Sequence, residues 1–260
     1  MSVDVAVTGA TGRMGRAVLD AASAREDVSV AFAVSRDPGD GPIAGTALDP
    51  ADDLRELLAD RSPDALVDFT VPASSLEYVD AAADAGVASV VGTTGFDAEG
   101  ERALRAAADR APVLRASNFG RGVQALLSAV EAAVAGLPGY DAEVTETHHN
   151  AKRDAPSGTA NAIVDAIDDA RESAAPAERV HGREGEAPRE DGEIGVHARR
   201  AGSVDGEHEV LLAGDGEELR LTHRAGDRGV FAEGALDAAA WVAGREPGRY
   251  DFAEVVEGDR

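Results

Sequence analysis

A short β-branched run, Val3 to Thr8 (VDVAVT), leads straight into a glycine turn, Gly9 to Gly15 (GATGRMG), and then into the helical pattern Arg16 to Ala24. Strand, glycine turn and helix in that order are the context a dinucleotide-binding fingerprint requires. Gly9 and Gly12 allow a tight turn and close backbone approach, and Gly15 lets the helix pack near the sheet. The spacing is GxxGxxG rather than GxGxxG, so the motif is only moderately specific, and a bare strand-to-helix turn satisfies it too. The alternation that follows carries more weight.

A second strand, Val28 to Val34, ends at Ser35-Arg36. A Gly/Pro/Asp-rich loop, Pro38 to Pro50, precedes a short helix, Ala51 to Ala59. Strands at Ala65 to Thr70, Val87 to Gly92 and Pro112 to Arg115 then alternate with helices at Ala73 to Ala85 and Ala98 to Arg110. Such alternation predicts βαβ units with right-handed crossovers, hence an α/β domain built on a doubly wound parallel sheet. Ligands bind such sheets at the carboxyl ends of the strands. Phe69-Thr70, Gly92-Thr93-Thr94 and Ala116-Ser117-Asn118-Phe119 should therefore rim a cofactor crevice with the glycine turn. An acid near the end of the second strand would favour NAD, whereas Arg36 there favours the 2′-phosphate of NADP. Arg13 is a second candidate phosphate contact, and Asp37 is an acid only two positions from the usual place.

After Asn118 the pattern changes. A long apolar helix, Gly122 to Ala135, is followed by a strand, Ala142 to His148, and a helix, Ser157 to Glu172. Ala174 to Gly192 reads as loop. Glu193 to Arg199, Glu207 to Ala213 and Leu219 to Arg224 then read as strands joined by Asp-Gly turns, a mostly antiparallel sheet in an α+β domain. A last apolar helix, Gly229 to Ala243, is long enough to return to the first domain. The expected division is residues 1–118, 119–226 and a returning segment, 227–260.

The chemistry concentrates in EVTETHHNAKRDAPSGTAN, Glu143 to Asn161. Ser157 or Thr159 can cap the helix that begins there, and a helix start with exposed amides suits a carboxylate or phosphate. His148 and His149 are strand neighbours and should point to opposite faces, a poor arrangement for chelating one metal. One of them can face a cleft and move a proton near neutral pH. The chain contains 24 arginines and a single lysine, Lys152. An ammonium can give up a proton where a guanidinium cannot, so Lys152 reads as a proton donor or a point-charge anchor. The other histidines, His181, His197, His208 and His223, are scattered and read as structural or surface residues.

Composition excludes several classes. No cysteine is present, so disulfides, thiolate ligands and cysteine nucleophiles are ruled out. The net charge of −24 opposes general binding to nucleic acid or anionic membranes. With arginine replacing lysine, it suggests a cytoplasm of very high salt, where screening shortens the Debye length to about 3 Å at 1 M. No signal-like opening or bilayer-length apolar run occurs, and a cytoplasmic protein is expected. GxSxG and Walker patterns are absent.

A dinucleotide domain, a His/Lys pair and an anion-binding helix start describe hydride transfer with proton delivery to a small acid. At this level of detail the chain resembles the dihydrodipicolinate reductase family. The matching segments are GATGRMG at Gly9, VDFT at Val67, GTTG at Gly92, SNF at Ser117 and ETHHNAKRDAPSGTA at Glu146, with RAGSVDGEH at Arg200 and GALDAAAWVAGREPGRYDF at Gly234. The resemblance implies a Rossmann-like first domain and reduction of a cyclic imine dicarboxylate, 4-hydroxy-tetrahydrodipicolinate, on the diaminopimelate route to lysine. His148 would be the proton donor or acceptor and Lys152 the proton donor. His149, Ser157, Gly158 and Thr159 would contact the substrate. Cofactor contacts would fall on Gly9, Ala10, Thr11, Gly12, Arg13, Met14, Arg36, Gly92, Thr93, Thr94, Ala116, Ser117, Asn118 and Phe119. NADPH is the expected cofactor, with NADH a second possibility that is weakened by Ser35, which stands where some members carry an acid that holds NADH. The family's enzymes are typically homotetramers assembled through the second domain's sheet. Two other readings are another two-domain amino-acid-pathway dehydrogenase, which would not need HHxxK followed by PSGT, and an inactive NADP-binding sensor, which would not need His148 and Lys152.

Overall fold

The computed structural model describes residues 2–171 and 176–258. The chain forms two compact units, one made of the residues up to Phe119 together with those from Arg228 on, the other of Gly120–Asp227.

The first unit is a seven-stranded, wholly parallel sheet. Its strands are β1 (Val3–Thr8), β2 (Val28–Ser35), β3 (Leu48–Pro50), β4 (Ala65–Asp68), β5 (Ala88–Val91), β6 (Pro112–Arg115) and, far along the chain, β12 (Gly248–Tyr250). Their order is β12-β6-β5-β4-β1-β2-β3. The order reverses between β1 and β4, the point at which a doubly wound sheet opens a crevice.

Both faces are covered. Alternate residues of β1 enter different cores: Val5 and Val7 join Val18 and Leu19 of α1 (Arg13–Ser23) and Leu236 and Ala239 of α7 (Gly229–Val242). Ala6 joins Leu54 and Leu58 of α2 (Leu54–Arg61) and Tyr78 of α3 (Pro72–Asp84) on the opposite side. Val91 and Val113 pack on Leu104 of α4 (Ala98–Ala108). The strand period of two thus sends each residue to its own layer. Among the described residues, no helix is long and apolar enough to cross a membrane.

Three short elements lay outside the sequence reading. β3 falls inside the loop Pro38 to Pro50, and β12 and α8 (Phe252–Glu257) fall in the tail. Three-residue strands beside prolines carry too little pattern to register. The start of α8 was legible, because Asp251 and Glu254 form a reciprocal capping box.

The second unit lays α5 (Arg121–Gly136) and α6 (Gly158–Ala170) over a five-stranded sheet of order β11-β10-β7-β9-β8. Its strands are β7 (Asp141–His148), β8 (Arg179–Val180), β9 (Ile194–Arg200), β10 (Glu207–Ala213) and β11 (Glu218–Arg224). Val130, Val144, Ile163, Ile167, Val196 and Val210 are among its core residues. The sheet is mixed. β10 runs antiparallel to β7 and β11, while β7–β9 and β8–β9 are parallel.

β9 and β10 are therefore not a hairpin across Asp205-Gly206, as consecutive antiparallel strands would be. The connecting loop instead crosses the end of β7, where the Ala201 amide donates to the His148 carbonyl at 2.9 Å and the Asn150 amide to the Gly202 carbonyl at 3.2 Å. β7 sits at the centre and takes β9 and β10 on opposite edges. β8 lies within the stretch read as loop, whose residues 174 and 175 fall outside the described residues, as does 172 at the expected end of α6.

Candidate active site

The first unit holds a glycine turn built for close approach. Gly9 has a positive φ of 65°, and its carbonyl accepts the Gly12 amide at 2.8 Å. A Cβ on Gly15 would lie 2.3 Å from the Gly9 carbonyl oxygen and 2.8 Å from the Ala10 Cα, so the helix can sit this near the turn only because residue 15 has no side chain. Gly12 occupies the N-cap of α1 and supplies no side-chain cap to the first-turn amides. Amides left in this way suit an anion.

Beside the turn is a cleft of about 310 Å³ lined by Gly9, Thr11, Gly12, Ser35, Arg36 and Asp37, with Phe69, Thr70 and Tyr78 among the residues on its other side. Thr11 and Ser35 join hydroxyls at 2.7 Å across its floor. Arg36 is exposed at the end of β2. A bare turn and an uncapped helix start opening on a cleft at the switch point fit the pyrophosphate of a dinucleotide.

Around this cleft a buried carboxylate organises the strand ends. Asp68, at the end of β4, accepts hydrogen bonds from the hydroxyls of Thr8 at 2.6 Å, Thr70 at 2.7 Å and Thr93 at 2.7 Å. Thr93 is thus turned inward, Ala10 is fully buried and Phe119 packs against Phe69 and Phe252. Gly92 admits the Phe69 ring, which a Cβ would overlap at 2.0 Å. Met14, in the first turn of α1, packs on the core, Ala116 and Asn118 are half-buried, and Arg13, Thr94 and Ser117 are exposed. Asp68 was not among the expected site residues. Its signal was the coincidence of hydroxyl residues at three strand ends.

We expect Gly15→Ala to push helix and turn apart, costing about 1–3 kcal/mol as overpacking does. Each kcal/mol should lower the melting temperature by about 2–4 °C in a protein of this size. Dinucleotide affinity, read by fluorescence titration, should fall in parallel, and unchanged binding would show that the turn tolerates the methyl.

The second unit brings its polar residues to the end of β7. His148 is buried, and its Nδ1 lies 2.6 Å from Oε2 of the fully buried Glu146. Arg200 donates to both Glu146 oxygens at 2.8 and 2.9 Å, and the Ser157 amide donates to Oε1 at 3.1 Å. Burial would raise the Glu146 carboxyl, but the hydrogen bonds from His148 and Arg200 outweigh it and hold it down at about 2. Lys152 Nζ pairs with Asp154 Oδ1 at 2.9 Å. Burial would raise Asp154 as well, but the ammonium keeps its carboxyl below the usual range.

Ser157 caps α6, its Oγ accepting the Ala160 amide at 3.1 Å, and Gly158 and Thr159 form the helix's first turn. The expected cap is therefore Ser157. His149 follows the end of β7, half-buried, and its carbonyl accepts the Lys152 amide at 3.1 Å.

Glu146, Arg200 and His208 were not among the expected site residues. Arg200 stands directly opposite His148 in the β7–β9 register, and His208 stands opposite Glu146 in the β7–β10 register. His208, read as structural or surface, is buried, 3.2 Å from the Ser157 hydroxyl and edge-on to His148 with ring centroids 5.2 Å apart. Burial is the main cause that lowers it to about 3, so it stays neutral at working pH. Among the described residues, no group of three or more His, Asp or Glu is arranged to hold a metal.

Residues 3–119 match the family model described as dihydrodipicolinate reductase, N-terminus, and residues 122–256 the one described as dihydrodipicolinate reductase, C-terminus. A relative from Natronomonas pharaonis named 4-hydroxy-tetrahydrodipicolinate reductase is 55% identical, with 98% of this chain and 100% of its own covered. One of the same name from Haloarcula marismortui is 52% identical, with 97% and 98% covered. Among solved structures, the dipicolinate-bound dihydrodipicolinate reductase from Paenisporosarcina sp. TG-14 is similar with a TM-score of 0.78 at 24% identity, with 98% of this chain and 99% of that one covered, a likeness of fold. Matched through both units by the family's models and through nearly its whole length by relatives of that name, the chain belongs to the dihydrodipicolinate reductase family.

Proposed function

We propose that His148 and Lys152 deliver the proton in the reduction of 4-hydroxy-tetrahydrodipicolinate to tetrahydrodipicolinate, with loss of water, the activity of the named relatives. The observation that carries this is a buried histidine, hydrogen-bonded to an ionised carboxylate, in the same turn region as the chain's only lysine and the start of α6. A nicotinamide dinucleotide, when bound, supplies the hydride. Gly9 to Met14 and Arg36 would hold it, together with the strand-end residues Gly92 to Thr94 and Ala116 to Phe119.

Hydride addition leaves the substrate one proton short of product. His148 and Lys152 are the groups that supply it on this reading. Substrate carboxylates are held at the start of α6 by the amides of Gly158 and Thr159, the hydroxyls of Ser157 and Thr159, and His149. The partial positive charge of the helix end favours them there.

NADPH is the preferred cofactor on this reading, because Ser35 stands where an acid would hold the ribose and Arg36 follows it on the cleft's edge. Losing a charged hydrogen bond costs about 1.5–3 kcal/mol. Arg36→Ala should thus raise KM for NADPH by about tenfold or more while changing KM for NADH little. Equal effects on both would end the assignment of Arg36 to the 2′-phosphate.

The chain also assembles as a homotetramer on this proposal, through the sheet face opposite α5 and α6, where Thr145, Glu209 and Thr222 lie in register. Light scattering of the purified protein in molar salt tests it.

The activity itself is tested by following NADPH oxidation with freshly made 4-hydroxy-tetrahydrodipicolinate in molar KCl, then with NADH. Substrate-dependent oxidation is expected, faster with NADPH. No oxidation by either, in folded protein, would overturn the assignment.

A further inference from the structure

We infer that Glu146 and Arg200 are positioning residues for proton transfer at His148, fixing its ring so that Nδ1 keeps a proton and Nε2 is the nitrogen that exchanges one with the substrate. This rests on the reading of His148 as a proton-transferring group. Glu146 precedes His148 by two residues on β7, so both side chains leave the same face of the strand. The carboxylate is fully buried and 2.6 Å from Nδ1. An ionised carboxylate can only accept, so Nδ1 must be the donor and the neutral ring must carry its proton there.

Arg200 makes that arrangement durable. Its guanidinium grips both Glu146 oxygens in the bidentate manner that suits a planar fork, and also donates to the Asp154 carbonyl at 2.5 Å. One cation thus ties the Glu146 carboxylate to the turn that carries Lys152. Without such partners a buried carboxylate would take up a proton and could donate to Nδ1 instead, reversing the tautomer. With them it is held at about 2 and stays an acceptor throughout the working pH range.

The other groups around the ring are engaged elsewhere. His208 of β10 meets Ser157, and Lys152 in the turn meets Asp154. His223 of β11, paired with His208, is lowered by burial. Gly206 packs beside Nε2, where a Cβ would come within 3.3 Å of that nitrogen.

Nitrogen-15 NMR of histidine-labelled wild-type protein reads the tautomer directly, with His148 assigned by its loss in His148→Gln. Neutral His148 is expected to carry its proton on Nδ1, and a proton on Nε2 would overturn the proposal. Glu146→Gln places an amide where two oxygens accept from Arg200. It is expected to lower kcat by about 100-fold or more, as loss of the correct tautomer does, with KM within about threefold and with His148 shifted toward the Nε2–H form. Arg200→Lys keeps a charge without the fork and should show the same signature in weaker form. Unchanged kcat in folded variants, or a fall in kcat with the tautomer unmoved, would reduce the pair to scaffolding. Should Glu146→Gln fail to fold, the wild-type tautomer and Arg200→Lys decide. Wild-type turnover in His148→Gln would sink the reading of His148 itself and leave the tautomer result standing.

Discussion

His148→Gln should retain the fold and lose about 10²–10⁴-fold in kcat, the range that general acid–base catalysis contributes. Glutamine fills much of the imidazole's space, and its amide can still donate to Glu146, which Arg200 continues to hold. What it lacks is an imidazole nitrogen able to take up and release a proton. KM should change little, because the groups assigned to the substrate carboxylates lie at the start of α6 and on His149. Steady-state kinetics at saturating cofactor, with a thermal melt as the folding control, measure both. Turnover near the wild-type rate would remove His148 from the proton transfer.

Lys152→Arg is the second large effect, expected to remove most of kcat, about 100-fold, despite keeping the charge. The chain has 24 arginines, and its single lysine lies in the turn between β7 and α6. The ion pair with Asp154 sharpens the prediction, since arginine would bind that carboxylate at least as well and preserve the turn. A loss of turnover therefore reports the proton and not the charge. Near wild-type kcat would leave Lys152 as an anchor for a substrate carboxylate, and Lys152→Met, which removes the charge, would then raise KM instead.

What the sequence carried and what it withheld divide along a physical line. The β1–turn–α1 opening, the alternation through Arg115 and the cap at Ser157 are local, set by residues within a few positions of one another. So is the parity that puts Glu146 and His148 on one face of β7, which needed only the strand period. Arg200 and His208 come to the site through strand register, 52 residues from His148 in one case and 62 from Glu146 in the other. No local pattern encodes such pairing. The Asp205-Gly206 pair illustrates the reverse error. It is a good hairpin signal by composition, yet the central position of β7 separates the strands it joins. Asp68 is signalled only by the hydroxyl residues Thr8, Thr70 and Thr93 at three separate strand ends, whose convergence on it depends on the order of the strands in the sheet.

The parallel sheet of the first unit is interrupted in sequence by the whole of the second, and its core is finished by α7, β12 and Phe252. On a ribosome, which extends the chain at about 5–20 residues per second, β1 to β6 emerge with α1 but without α7, which completes the cover of that face. Gly120–Asp227, by contrast, is complete as soon as it is made. The inserted unit can thus acquire its structure first, while Val5, Val7, Val67 and Val90 wait for Leu236 and Ala239. For those seconds the nascent dinucleotide unit exposes the part of its apolar sheet face that α7 will cover, the kind of surface that chaperones recognise.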